Sequence, residues 1–178
     1  ILFLVGKISI SGATYQSVEF HGEAFEDMTL ASRMTITNMV AEMGGKTGFV
    51  HAKGLQLDYE FEALYPDEDA AYIKTYEFDV SNLQAQISVP ESPDAVENIG
   101  AHEGKVINYA FIGTCCNGRL EDLQAAAQVL KGKRIKEGVR FIINPASRST
   151  LLDAISDGTL QTLIEAGAAV LNPGCGPC

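Results

Sequence analysis

The feature that most restricts the fold is an alternation of short apolar runs and helix-like stretches through the second half of the chain. Residues 106–112 form an apolar run ending in Gly113-Thr114-Cys115. Residues 119–130, rich in Ala and Leu, read as a helix stopped near Gly132, and residues 139–143 form a second apolar run ending at Asn144-Pro145. Ser147 or Ser149 can cap a helical stretch through Ile155, and residues 159–165 read as another helix. Residues 168–171 make a third short strand, ending in Asn172-Pro173-Gly174-Cys175. Strand, helix, strand, helix, strand with short loops implies parallel pairing and right-handed crossovers. The expected class is α/β with a mainly parallel sheet.

That arrangement gives the cysteines at 115, 116, 175 and 178 a common address. Cys115 follows the carboxyl end of one strand, and Cys175 and Cys178 follow that of another. Open parallel sheets put their ligand crevice along this edge. Two loops can therefore bring three thiolates to one place, and Cys175-Gly-Pro-Cys178 has the spacing that lets two sulfurs grip one metal or cluster. Structural disulfides are disfavoured, since a chain of 178 residues is large enough to hold a core without staples. A redox Cys-x-x-Cys leaves the remaining thiols unexplained. Structural zinc, with Cys116 or an outside residue as fourth ligand, satisfies the spacing. So does an iron–sulfur cluster on three thiolates with one iron open to substrate.

The first half is less legible. Residues 14–20 alternate well enough for a strand before the His21-Gly22 turn. Residues 29–43 carry Leu30, Met34, Ile36, Met39, Val40 and Met43 at helical spacing, with Thr29 as N-cap and Gly44-Gly45 as stop. Tyr65-Pro-Asp-Glu-Asp69 reads as a solvated loop, residues 72–80 as a candidate strand, and residues 88–98, with Pro90 and Pro93, as a connector between lobes. Two lobes are expected, over residues 1–85 and 86–178.

Acidic residues number 23 against 13 basic, and this excess repels nucleic acid and anionic membrane alike. No apolar stretch reaches the roughly 18–20 residues of a membrane span. The chain opens without Met on Ile1-Leu-Phe-Leu-Val5, with no basic stretch before it, and closes on Cys178. This reads as the middle of a longer cytoplasmic protein rather than as a secreted one.

Phe111-Ile-Gly-Thr-Cys-Cys-Asn-Gly-Arg-Leu-Glu-Asp-Leu123 and Asn172-Pro-Gly-Cys-Gly-Pro-Cys178 resemble the two cluster-binding segments of the aconitase superfamily. Within it the likeness is greatest to the large subunits of 3-isopropylmalate dehydratase and archaeal-type homoaconitase. Gly12-Ala-Thr-Tyr-Gln-Ser-Val-Glu-Phe-His-Gly22, Arg33-Met-Thr-Ile-Thr-Asn-Met39 and Asn144-Pro-Ala-Ser-Arg-Ser149 agree as well, in order along the chain. The resemblance implies aconitase-like three-layer α/β/α lobes and a [4Fe–4S] cluster on Cys115, Cys175 and Cys178. It implies an active-site carboxylate at Glu19, in the place of the family's Val-Glu-Tyr/Phe segment, and a small-subunit partner. The implied activity is that of a hydro-lyase isomerising 2-isopropylmalate to 3-isopropylmalate in leucine biosynthesis. Homoaconitate, dimethylmalate or another branched hydroxy acid is the alternative substrate, and a zinc-bound or metal-free module without catalysis is the rival class. The fragment alone is expected to be inactive. Two positions depart from the family pattern: Cys116 stands where Thr is usual, and Pro90-Glu-Ser-Pro-Asp94 lacks the histidine of Pro-His-x-Pro-Asp.

Arg148 could hold a substrate carboxylate near a helix start or be an ordinary surface arginine beside a capping Ser147. Asn117 and Arg119 could orient the Cys115 loop. His21, His51 and His102 lack metal-like spacing and read as surface or turn residues. Met28, Met34, Met39 and Met43 read as core packing, and Lys131-Gly-Lys-Arg-Ile-Lys136 as a solvated helix end.

Overall fold

The computed structural model describes residues 1–177. The chain divides into two compact units, Ile1–Glu103 and Gly104–Cys178.

In the first unit, α1 (Leu2–Ile8) is followed by β1 (Ser17–Phe20), α2 (Leu30–Asn38) and β2 (Thr47–Val50), and then by β3 (Gln86–Ser88) and β4 (Val96–Asn98). β1 and β2 pair in parallel, with Glu19 opposite Phe49 and Phe20 opposite Val50. Thr29 caps α2 as its sequence predicts, its hydroxyl accepting from the Ser32 amide at 3.0 Å. The last turn of the expected helix tightens into a 3-10 segment, Met39–Met43, and ends on left-handed Gly44. The apolar run at the start of the chain forms α1. Its Val5 is fully buried among Ala13, Phe20, Ile36, Val40 and Met43.

Two expectations change here. Residues 72–80 do not form a strand, and the whole stretch 52–85 contains neither helix nor strand. A strand must pair its backbone donors and acceptors, and no ladder reaches this segment. Its side chains make the contacts instead: Tyr76 stacks on Phe78, which meets Phe3 edge-on. The proline-containing stretch 88–98 is not an open connector. It closes the antiparallel hairpin β3–β4, with Gln86 opposite Asn98 and Ser88 opposite Val96. Asp94 ties the hairpin to the end of α1 by accepting from Ser9 Oγ at 2.8 Å and the Ile10 amide at 3.2 Å. These contacts place residues 86–103 with the first unit.

The second unit follows the predicted alternation closely: β5 (Tyr109–Gly113), the single turn α3 (Thr114–Asn117), α4 (Leu120–Leu130), β6 (Arg140–Asn144), α5 (Arg148–Ser156), α6 (Thr159–Glu165) and β7 (Ala169–Val170). The sheet order is β5-β6-β7, all parallel. Both crossovers step the same way along the sheet, so right-handed connections put their helices on one face. α4, α5 and α6 do pack on one another there. Register sets Ala110 beside Phe141 and Ile112 beside Ile143, and these four meet Leu123, Ala127, Ala154, Leu160 and Leu163 in one core. Leu123, Ile143 and Leu163 are wholly buried, each such side chain contributing about 1.5–3 kcal/mol. Ser147 caps α5, accepting from the Thr150 amide at 3.1 Å. The Asp122 carboxylate closes the start of α4 by accepting from the Arg119 amide at 3.0 Å. No helix among the described residues is long and apolar enough to cross a membrane.

Candidate functional site

The carboxyl edge of β5-β6-β7 carries the cysteine loops. Cys115 and Cys116 lie in α3, immediately after β5, and Cys175 follows β7. Cys178 lies outside the described residues. The central strand β6 therefore ends between the two loops, and its last residues hold both. The Ala146 amide donates to Gly118 O on the Cys115 side at 2.8 Å. On the Cys175 side, the Gly174 amide donates to Pro145 O at 3.0 Å, and Asn144 Nδ2 donates to Gly174 O at 2.7 Å.

The approach is close enough to demand glycine at two points. A Cβ on Gly118 would stand 2.5 Å from Asn144 O, and one on Gly176 would stand 2.3 Å from Asn144 Oδ1. Thr114, just ahead of the cysteine pair, is buried and holds a left-handed φ of 68°. That is a costly conformation for a β-branched residue, of the kind found at ligand-binding turns.

The thiols of Cys115 and Cys175 are on exposed residues, and Cys115 Sγ lies 4.0 Å from Cys116 Sγ. Arg119 braces the loop from behind: its guanidinium donates to Cys115 O at 3.1 Å, while its Nε is buried without a hydrogen-bond partner among the described residues. Asn117 Nδ2 reaches Asp122 Oδ1 at 3.4 Å, so it braces the start of α4. Arg148 is exposed in the first turn of α5, on the same sheet edge. Among the described residues no group of three His, Cys, Asp or Glu side chains converges as a metal site. Thiolates are the ligands a soft metal or an iron–sulfur cluster takes, and exposed Cys115 and Cys175 each follow a strand at the same edge of the sheet.

In the first unit, Glu19 leaves β1 with its side chain about one-third exposed. Its Oε2 accepts from Tyr72 Oη at 2.5 Å and lies 3.2 Å from His21 Nε2. The hydrogen bond to Glu19, then partial desolvation and the carboxylate's charge, hold the Tyr72 hydroxyl above the ordinary tyrosine pKa. The His21 ring meets Tyr72 at 6.1 Å and His51 at 6.4 Å between centroids. His51 Nδ1 is buried without a hydrogen-bond partner among the described residues. So His21 and His51, read from the sequence as ordinary turn residues, belong to the Glu19 constellation.

Behind it, buried Arg33 donates to four carbonyls: Met28 O at 3.1 Å, His51 O at 2.5 Å, Glu26 O at 3.0 Å and Lys53 O at 2.8 Å. The guanidinium thereby clamps the loop that bears His51 to the turn ahead of α2. Arg33 stands three residues before Ile36 and seven before Val40, on the buried face of the helix, a placement that could have marked it. Nothing in the sequence marks Tyr72, which is 53 residues from its partner.

The aconitase family, described as "Aconitase family (aconitate hydratase)", matches this chain over residues 1–106 and 97–178. The chain belongs to the aconitase family. Its α/β fold with mainly parallel sheets is aconitase-like. Among aconitase-family relatives, the chain is 47% identical to the probable methanogen homoaconitase large subunit of Methanosarcina mazei, over 99% of this chain and 46% of that protein. It is 46% identical to 3-isopropylmalate dehydratase large subunit 2 of Archaeoglobus fulgidus, over 100% of this chain and 45% of the relative. It is 45% identical to the homoaconitase large subunit of Thermus thermophilus, over 99% of this chain and 43% of the relative. The chain thus spans less than half the length of these aconitase-family proteins.

Proposed function

We propose that the protein to which this chain belongs is a hydro-lyase that isomerises 2-isopropylmalate to 3-isopropylmalate by dehydration and rehydration. Cys115, Cys175 and Cys178 would hold a [4Fe–4S] cluster. The observation that carries the reading is the pair of cysteine loops fastened to the end of one central strand, β6, by Ala146, Asn144 and Pro145. A cluster on three thiolates keeps one iron without a cysteine ligand, and when bound it supplies the Lewis acid that polarises the leaving hydroxyl.

The chain's own residues bind and orient the reacting groups. Arg119 fixes the Cys115 carbonyl and so the direction of the turn. Arg148 offers a guanidinium for a substrate carboxylate. Glu19 accepts a hydrogen bond from the substrate hydroxyl and orients it, with Tyr72 and His21 fixing its Oε2, while the base that takes the proton from the neighbouring carbon comes from outside residues 1–178. In the complete protein, the lobe expected over residues 1–85 extends to residue 103, and residues 104–178 belong to a different, cysteine-bearing lobe. A small subunit completes the site, in keeping with the "large subunit" names of the relatives. The setting is leucine biosynthesis in the cytoplasm, and residues 1–178 alone do not turn over.

Homoaconitate is the second reading of the substrate, because relatives at 47% and 45% identity bear that name. The test is full-length protein, purified without oxygen and mixed with its small subunit. About four irons and four sulfides per chain, lost on Cys115→Ser, support the cluster. Relative turnover of 2-isopropylmalate and homoaconitate chooses the substrate. Zinc, or no metal, overturns the hydro-lyase reading, and turnover by residues 1–178 without the small subunit overturns the assignment of the missing residues to partner and remainder.

A further inference from the structure

Asn144 is an unusual residue to find where it is. It ends β6 after the apolar run Phe-Ile-Ile and is completely buried, on the sheet face opposite Phe141 and Ile143. Its Nδ2 donates to Gly174 O at 2.7 Å, with a longer contact to its neighbour Pro145 O at 3.4 Å. Its Oδ1 is buried and has no hydrogen-bond partner among the described residues. Leaving such an acceptor unmet is destabilising, and an apolar side chain of the same shape would avoid that cost. The amide is therefore a poor choice for filling space and a good one for holding a loop.

We propose that Asn144 is the positioning residue of the cysteine centre. Its Nδ2 pins the Cys175 loop at Gly174. Its Oδ1 faces Gly176 across a gap that admits no Cβ, so the same amide sits against the loop on both sides of Cys175. Because the backbone of the same residue pairs with Gly113 and its carbonyl abuts Gly118, one residue sets the Cys175 loop against the Cys115 loop. The cluster part of this proposal rests on the hydro-lyase reading above; the loop-holding part does not.

The test compares Asn144→Leu, which keeps the volume without either polar group, and Asn144→Asp, which keeps an acceptor but loses the donor to Gly174. Ser147→Ala is the control, since it loses the cap of α5 and destabilises the same unit without touching either cysteine loop. All are made in the full-length protein. In metal-free samples, both Asn144 variants speed amide hydrogen exchange across residues 171–177 relative to Ser147→Ala. In loaded samples both release iron to a chelator about 10- to 100-fold faster than parent and change the electron paramagnetic spectrum of the reduced cluster, whereas Ser147→Ala does neither. Exchange in residues 171–177 matching that of Ser147→Ala overturns the proposal, as does parental iron release. Protein that never takes up iron refutes the hydro-lyase reading instead, and hydrogen exchange then decides the role of Asn144.

Discussion

Replacing Arg33 by Met removes four hydrogen bonds at once while keeping most of the apolar stem. The guanidinium uses four of its five N–H donors on the carbonyls of Glu26, Met28, His51 and Lys53. Hydrogen bonds from a charged donor are worth about 1.5–3 kcal/mol each, but their sum overstates the loss, because burying the guanidinium itself has a cost. The four acceptors also lie in half-buried or exposed segments, where water can replace part of what is lost. A net loss of about 3 kcal/mol follows, which corresponds to roughly 100-fold faster local opening. Arg33→Lys, with three donors on one compact head, recovers about half of it. The assay is native-state hydrogen exchange on the full-length protein, followed at residues 26–28 and 51–53. The order parent, Lys, Met in protection at these residues is the expected result. Exchange in Arg33→Met within about tenfold of parent would refute the clamp and show that the His51 loop is held by something else.

Three further outcomes follow from the geometry. Tyr72, raised by its bond to Glu19, contributes stability that is complete below the ordinary tyrosine pKa of about 10 and is lost as pH rises through its higher folded value. Phenolate absorbance against pH should therefore show one of the six tyrosines moving down in Glu19→Gln. Asp94, held low by Ser92, then Ser9 and the Ile10 amide, stabilises the protein above the ordinary aspartate pKa of about 3.9 and loses that contribution as pH falls through its lower folded value. Melting curves should show Asp94→Asn less stable than parent near neutrality and equal to it in strong acid. Leu163→Ala, at a wholly buried position among Leu123, Ile143 and Ala154, should lower the stability of the second unit by about 2–5 kcal/mol in urea unfolding.

The order and type of the strands and of α4, α5 and α6 in the second unit were legible in the sequence, whereas residues 106–108, read as strand, lie outside β5, and the single turn α3 was not expected. The unit's strands and helices are short, locally capped and joined in chain order. Periodicity, Ser147, and the apolar runs ending at Gly113, Asn144 and Cys175 carry the topology. The same logic located the sheet edge that bears Cys115 and Cys175, because the parallel order leaves the cysteine loops only one side to occupy. The first unit was legible only where it was local, at Thr29, α2 and Gly44. The strand expected at 72–80 had propensity without a partner, and a strand exists only through its ladder. The hairpin at 86–98 hid behind two prolines, because what stabilises it is pairing across the turn and an aspartate reaching the end of α1.

The supports of the site belong to tertiary structure alone. Tyr72 meets Glu19 across 53 residues, Arg33 gathers carbonyls from both sides of the helix that carries it, and Asn144 is a polar end to an apolar strand until Gly174 and Gly176 close over it. A residue type and its spacing can announce a ligand, since metal chemistry demands particular atoms. The groups that hold a ligand in place need only a donor or acceptor at the right point in space, and many residues at many separations can provide one.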